Sequence, residues 1–129
     1  MTAIAALTIP DGQASPVNHT FSPVSTDGAK AMWADRAPTI PAGFRTTSFE
    51  VAPPSGNRTV YKVTGGFMIP VVATIASVDQ VVRYSSAQVI LNIHPDSVLQ
   101  ERKDLLAYVA NFLGLADVKT CVQNLEPVY

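Results

Sequence analysis

Catalysis needs a nucleophile, a base or a metal set at workable spacing, and this chain is poor in all three. Its two histidines, His19 and His94, are far apart in sequence and have no cysteine or carboxylate companions at ligand spacing. There is no H-x-x-x-H, no G-x-S-x-G, no phosphate-cradling glycine loop and no paired acidic motif. The single Cys121 rules out an intrachain disulfide and, at a helical core spacing, reads as a small buried hydrophobe rather than a nucleophile. We therefore expect no enzyme, no metal and no cofactor.

Charge narrows the remaining classes. Nine Lys and Arg stand against ten Asp and Glu, a formal net charge of −1, so no global basic field gathers nucleic acid and any RNA binding must be local. Hydrophobic residues make up 47% of the chain and charged ones 15%. That is apolar for a small monomer, and some of the apolar surface is expected to meet other subunits. The 129 residues fit one domain, residues 1–129. The N-terminal stretch lacks a positive n-region and is interrupted by Thr8, Pro10 and Asp11, so it reads as a strand rather than a signal peptide. No apolar run approaches the roughly 18 residues of a membrane span, which predicts a soluble protein made in a cytoplasm. The N-x-T sequons at Asn18 and Asn57 are then chance matches.

The elements that must position any binding groups follow from periodicity. Prolines and glycines punctuate short runs rich in Val, Ile, Thr, Phe and Tyr, the pattern of an antiparallel sheet, and helical periodicity comes only at the end, so the fold class is α+β. Ala3 to Ile9 and Ser15 to Val24 form a hairpin about Pro10-Asp11-Gly12 (residues 1–24), the second strand weakened by Pro16 and Pro23. A sheet over residues 29–93 follows. Ala29 to Arg36 is a strand around Trp33, a packing anchor; Phe44 to Val51 is the next, after a loop from Pro38 to Gly43. Arg58 to Met68 continues after Pro53-Pro54-Ser55-Gly56, with Gly65-Gly66 marking a bulge or close backbone approach. Val71 to Val78 reads as a further strand or an exposed loop.

Val81 to Ile93 is the most informative strand, because Ala87, Val89, Leu91 and Ile93 alternate with Tyr84, Ser86, Gln88 and Asn92. One face is core and the other polar, so something must cover only the dry side, and the helices of residues 97–125 supply it. Ser97 to Gln100 reads as a capping box opening a helix that Gly114 ends, with Leu105, Leu106, Val109, Phe112 and Leu113 on one stripe. A second helix, Asp117 to Leu125, carries Val118, Cys121, Val122 and Leu125.

Two local strings carry a resemblance. Asn57-Arg58-Thr59-Val60-Tyr61-Lys62-Val63 looks like an N-R-(x)n-Y-K-V strand, and the ending Val122-Gln123-Asn124-Leu125-Glu126-Pro127-Val128-Tyr129 looks like a terminal Q-L-N-P-A-Y. Together with the order of elements, they make the chain resemble the coat (capsid) proteins of single-stranded RNA bacteriophages, the levivirus type, closest to the Q-beta group. The match spans nearly the whole chain.

The resemblance implies an N-terminal hairpin, a five-stranded antiparallel sheet and two C-terminal helices that pack on one sheet face of a homodimer, with dimers closing into an icosahedral shell. It implies that the uncovered sheet face binds single-stranded phage RNA and RNA hairpins, Lys62 contacting phosphate and Tyr84 stacking on an unpaired base. Alternation then adds Thr64 beside Lys62, Ser86, Gln88 and Asn92 beside Tyr84, and Thr46, Ser48 and Glu50 as the inward set of the preceding strand. Arg58, near a turn, is within reach of RNA or is a solvated loop residue. A virion protein assembled in the bacterial host cytoplasm is implied, with operator-hairpin repression of translation as a further role. Two departures matter. Glu50 puts a negative charge on the RNA face with no second well-placed lysine, and the Val71 to Asp79 loop lacks the cysteines that link subunits in the Q-beta group. The rival reading is a non-viral sheet-and-helix dimer binding a peptide or small ligand on its open face.

Overall fold

The computed structural model of the chain describes residues 3–128. It forms two compact units, a sheet unit ending at Asn92 and a helical unit beginning at Ile93. The sheet strands are β1 (Leu7–Pro10), β2 (Asn18–Asp27), β3 (Lys30–Asp35), β4 (Arg45–Ala52), β5 (Tyr61–Ile75) and β6 (Val78–Ile93), side by side in chain order. This is the expected antiparallel sheet with two C-terminal helices, with six strands in one order where five were expected.

The difference has two causes. The hairpin β1–β2 continues the order through β3, and the segment read as a further strand or a loop continues β5. Pro70 does not end β5, because the last pair with β4 is Thr46 to Met68 and beyond it no β4 acceptor waits for the missing N–H. β5 therefore runs on to a two-residue turn at Ala76 and Ser77, both with positive φ (50° and 65°), the primed geometry whose twist matches the flanking strands.

Of the two readings of Gly65-Gly66, a bulge or a close backbone approach, no bulge interrupts the pairing with β4: Phe49 to Gly65 and Ser48 to Gly66 stay in unbroken register. The irregularity lies in β2, where the pairing jumps between Pro23 and Ser25 and leaves Val24 over. A residue left over on one strand bends it. The bend lets Phe21 of β2 reach Phe67 of β5, ring centroids 6.2 Å apart and edge to face, although β3 and β4 lie between them in the sheet. Among the described residues Phe21, Ala34, Asp35, Gly43, Thr47 and Pro70 are buried. Trp33 fastens the N-terminal segment, its Nε1–H donating to the Ala5 carbonyl at 2.8 Å. A short 3-10 turn, Pro41–Gly43, leads into β4, and a Cβ on Gly43 would collide with Val72.

The helical unit contains α1 (Leu99–Leu113) and α2 (Ala116–Asn124). The cap differs from the expected box by one residue. Val98, not Ser97, is the N-cap, and Glu101 reaches back to accept from the Val98 N–H at 2.8 Å. Ser97 instead receives Arg102, whose guanidinium donates to its carbonyl at 2.6 Å. Gly114 caps α1 as expected, and α2 ends at Leu125 in the left-handed region, φ 58°. Neither helix has a buried residue: Leu106 is 59% exposed and Phe112 58%. Among the described residues no single helix is long and apolar enough to cross a membrane.

Candidate nucleic-acid interface

Strand register sorts the side chains of β3, β4 and β5 into two faces, since directly paired residues point to the same side and successive residues alternate. One face carries the rows Ala34–Thr46–Met68, Met32–Ser48–Gly66 and Lys30–Glu50–Thr64, followed by Ala52–Lys62. The other carries Trp33–Thr47–Phe67, Ala31–Phe49–Gly65 and Val51–Val63. Hydroxyls and charges occupy the first, aromatic and branched apolar groups the second. Phe49 is nonetheless 47% exposed, and Val51 and Phe67 are also exposed.

The polar face has a depression where the sheet lacks a side chain. At Gly66 a Cβ would stand only in ordinary contact, 3.6 Å from Ser48 Oγ and 3.5 Å from the Ala87 carbonyl, so the glycine is not forced by crowding. Its missing side chain instead leaves an open hollow of about 290 Å³ lined by Met32, Thr46, Ser48 and Met68 on β3 to β5, and by Ser86 and Gln88 on β6. Four of the expected site residues thus meet: Thr46, Ser48, Ser86 and Gln88. Thr64 and Lys62 follow along β5, and both are half-buried. Tyr84 lies two residues before Ser86 and shares its side of β6 by alternation; it is 65% exposed.

Arg58 is not brought to this face. Its guanidinium closes the loop before β5, donating to the Pro53 carbonyl at 2.5 Å and to Ser55 Oγ at 3.4 Å. Lys30 is the residue sequence reading missed. It pairs directly with Glu50, so the face has a second lysine. Counting three residues back from the packing anchor Trp33 places Lys30 on the side away from it, a signal present in the sequence.

A second polar group lies elsewhere, where the β1–β2 turn meets the end of β3 and the start of β4. His19 Nε2 is 3.0 Å from Asp11 Oδ2, and Arg45 donates to Asp35 Oδ2 at 2.8 Å and lies 3.4 Å from His19 Nδ1. A neutral His19 with its proton on Nε2 satisfies both contacts, donating to Asp11 and accepting from Arg45. Asp11 also accepts from the Val17 and Gln13 amides at 3.0 and 3.1 Å. The Val17 amide, then His19, hold the Asp11 carboxyl far below its ordinary range. Burial pushes Asp35 up, but the Ala37 amide and Arg45 outweigh it and its carboxyl also titrates low. Asp79 is held low by hydroxyl donors from Thr39 and Thr74, at 2.5 and 2.6 Å. None of these groups could be paired from spacing alone, since each contact depends on strand register. Among the described residues no group of His, Cys, Asp and Glu is placed to hold a metal ion.

The sheet thus presents one face of hydroxyls, amides and lysines beside an exposed tyrosine. Comparison with known proteins specifies the class. The levivirus coat protein family matches residues 2–129, and the chain belongs to that family. It is a structural coat protein of a levivirus-type phage, a virion component and not an enzyme. Among solved structures, the chain is similar to the virus-like particle of bacteriophage NT-214, with 29% identity, TM-score 0.87 and coverage of 99% of this chain and 100% of that one. It is similar to the virus-like particle of bacteriophage ESE058, with 26% identity, TM-score 0.86 and coverage of 99% and 100%. The bacteriophage GA capsid protein shares the fold at 14% identity, TM-score 0.75, with 97% of each chain covered. No curated protein sequence matches.

Proposed function

We propose that the chain forms a homodimer, that dimers assemble into an icosahedral shell, and that the polar sheet face holds single-stranded phage RNA inside it. The observation that carries this reading is the incompleteness of the single chain. β6 ends the sheet order, and every residue from Val82 to Ile90 is exposed. Its outer backbone donors and acceptors are the kind of edge that another copy completes. The apolar face presents Phe49, Val51 and Phe67 to solvent, with an apolar recess of about 670 Å³ beneath Ile4, Trp33 and Phe49. The helices present Leu106, Phe112 and Leu113. A two-fold partner supplies a strand for the edge and helices for the apolar face in one operation. The similar chains from NT-214 and ESE058 are themselves subunits of virus-like particles.

The polar face suits RNA. A tyrosine stacks on any base, lysines neutralise phosphates, and hydroxyls and amides read the edges of a looped base. Operator-hairpin repression is a further use of the same face. The ligand-binding rival finds little support there, since a 290 Å³ open hollow is smaller than most drug-sized pockets. The test is nuclease protection. Protein expressed in bacteria, treated with ribonuclease and passed over a sizing column, should elute with protected RNA, and Lys62→Glu with Tyr84→Asp should reduce the RNA per protein. Protein that elutes free of RNA at every size would refute the reading.

A further inference from the structure

Glu50 is an odd group on a surface meant for a polyanion. It lies in the row Lys30–Glu50–Thr64, with Lys62 diagonal to it across the β4–β5 pair. Its side chain is half-buried, yet the ion pairs among the described residues involve only His19, Arg45 and His94 with their aspartates. Neither flanking lysine is spent on it. We propose that Glu50 is a base-discriminating residue that accepts a hydrogen bond from the exocyclic amine of an unpaired base, while Lys30 and Lys62 take the phosphates on either side. The inference rests on the RNA-face reading above and adds the class of base the face selects.

The chemistry of the carboxylate sets the selection. An ionised carboxylate is an acceptor only. Cytosine offers it an N4 amine, whereas uracil presents O4 at the same place and places its one imino N–H between two carbonyl oxygens. Glu50 therefore attracts the amino base and repels the keto base. The same charge repels phosphate, so it steers the backbone outward to Lys30 and Lys62 and leaves the base edge toward the sheet. Thr64, next in the row, offers a hydroxyl that both donates and accepts, and so does not choose. A plain cross-strand pair between Lys30 and Glu50 would strengthen the sheet and leave base preference untouched, which separates the two roles.

The experiment uses full-length protein freed of RNA and held below its assembly concentration, with fluorescent cytidine and uridine dodecamers at low salt. The two pyrimidines present similar stacking surfaces to Tyr84, so their ratio isolates the amine. The wild-type protein should bind the cytidine probe about tenfold more tightly, the scale of one hydrogen bond to a charged group. Glu50→Gln, nearly isosteric, should bring the ratio close to one while raising affinity for the uridine probe. Lys30→Ala and Lys62→Ala should weaken both probes equally. A wild-type ratio near one, or a ratio unchanged in Glu50→Gln, overturns the inference and leaves the RNA face standing. Failure of both probes to bind, with Lys62→Ala without effect, overturns the RNA face with it. A lower melting temperature in Glu50→Gln with an unchanged ratio assigns the pair to sheet stability alone.

Discussion

Tyr84 and Lys62 make different contributions that a binding assay separates. Replacing Tyr84 by Ala should cost about 1–3 kcal/mol of RNA affinity at every salt concentration, with Tyr84→Phe close to wild type, since the ring and not the hydroxyl does the stacking. Lys62→Ala should instead reduce the slope of log affinity against log salt by about 0.7, the share of one phosphate on a single strand. Fluorescence anisotropy across a salt series reads both. The His19 cluster gives a pH dependence. Asp11 and Asp35 titrate below their ordinary range in the folded chain, so the stability they contribute is complete above the unfolded carboxyl value near pH 4 and is lost as pH falls through their folded values. Loosening of the β1–β2 turn should begin below about pH 4, and amide exchange at Val17 and Gln13 should report it before the rest of the sheet. Asp11→Asn should move that loss away from the turn. At Gly43 the close approach of Val72 leaves no room for a methyl group, so Gly43→Ala should destabilise the fold by about 1–3 kcal/mol in a urea titration.

At the scale of elements, the β5–β6 hairpin is the feature least matched to its sequence. Ala76 and Ser77 hold left-handed backbone that Asn and Gly adopt more readily. The double change Ala76→Asn with Ser77→Gly should stabilise the chain by about 1 kcal/mol, read as a higher thermal midpoint. Most elements were legible because their periods were clean: the alternation about Trp33, the Thr46 and Ser48 set, and the helical stripe from Leu105 to Leu113. What was not legible depended on long-range pairing. Pro70 looked like a strand end because its missing partner across the sheet cannot be seen in sequence. The Gly65-Gly66 pair read as a bulge or a close backbone approach, whereas the bulge fell at Val24, a residue with no marker of its own. The cap moved from Ser97 to Val98 because Glu101 satisfies the first amide from inside the helix. Of the polar face, Lys62 came from the family resemblance, and Thr46, Ser48 and Thr64 followed from alternation. Lys30 was available by the same rule counted from Trp33, and the His19 cluster required the register of β1 on β2 and β3 on β4.

Taken whole, the molecule exposes more apolar surface than a lone chain sustains in water. Phe49, Phe67, Leu106 and Phe112 are too large and too numerous to be left solvated together. In the proposed dimer a second copy would bury them and close the β6 edge together, which would couple dimer formation to folding. Phe112→Asp should therefore lower the yield of folded protein and of every assembly built from it, while Lys62→Ala leaves both intact. Shell assembly around RNA is tested by negative-stain electron microscopy of the protein expressed alone in bacteria, with absorbance at 260 and 280 nm recorded on the same sizing fraction. Uniform spherical particles with strong absorbance at 260 nm are the predicted result; a clean dimer with no particles and no nucleic acid would contradict it.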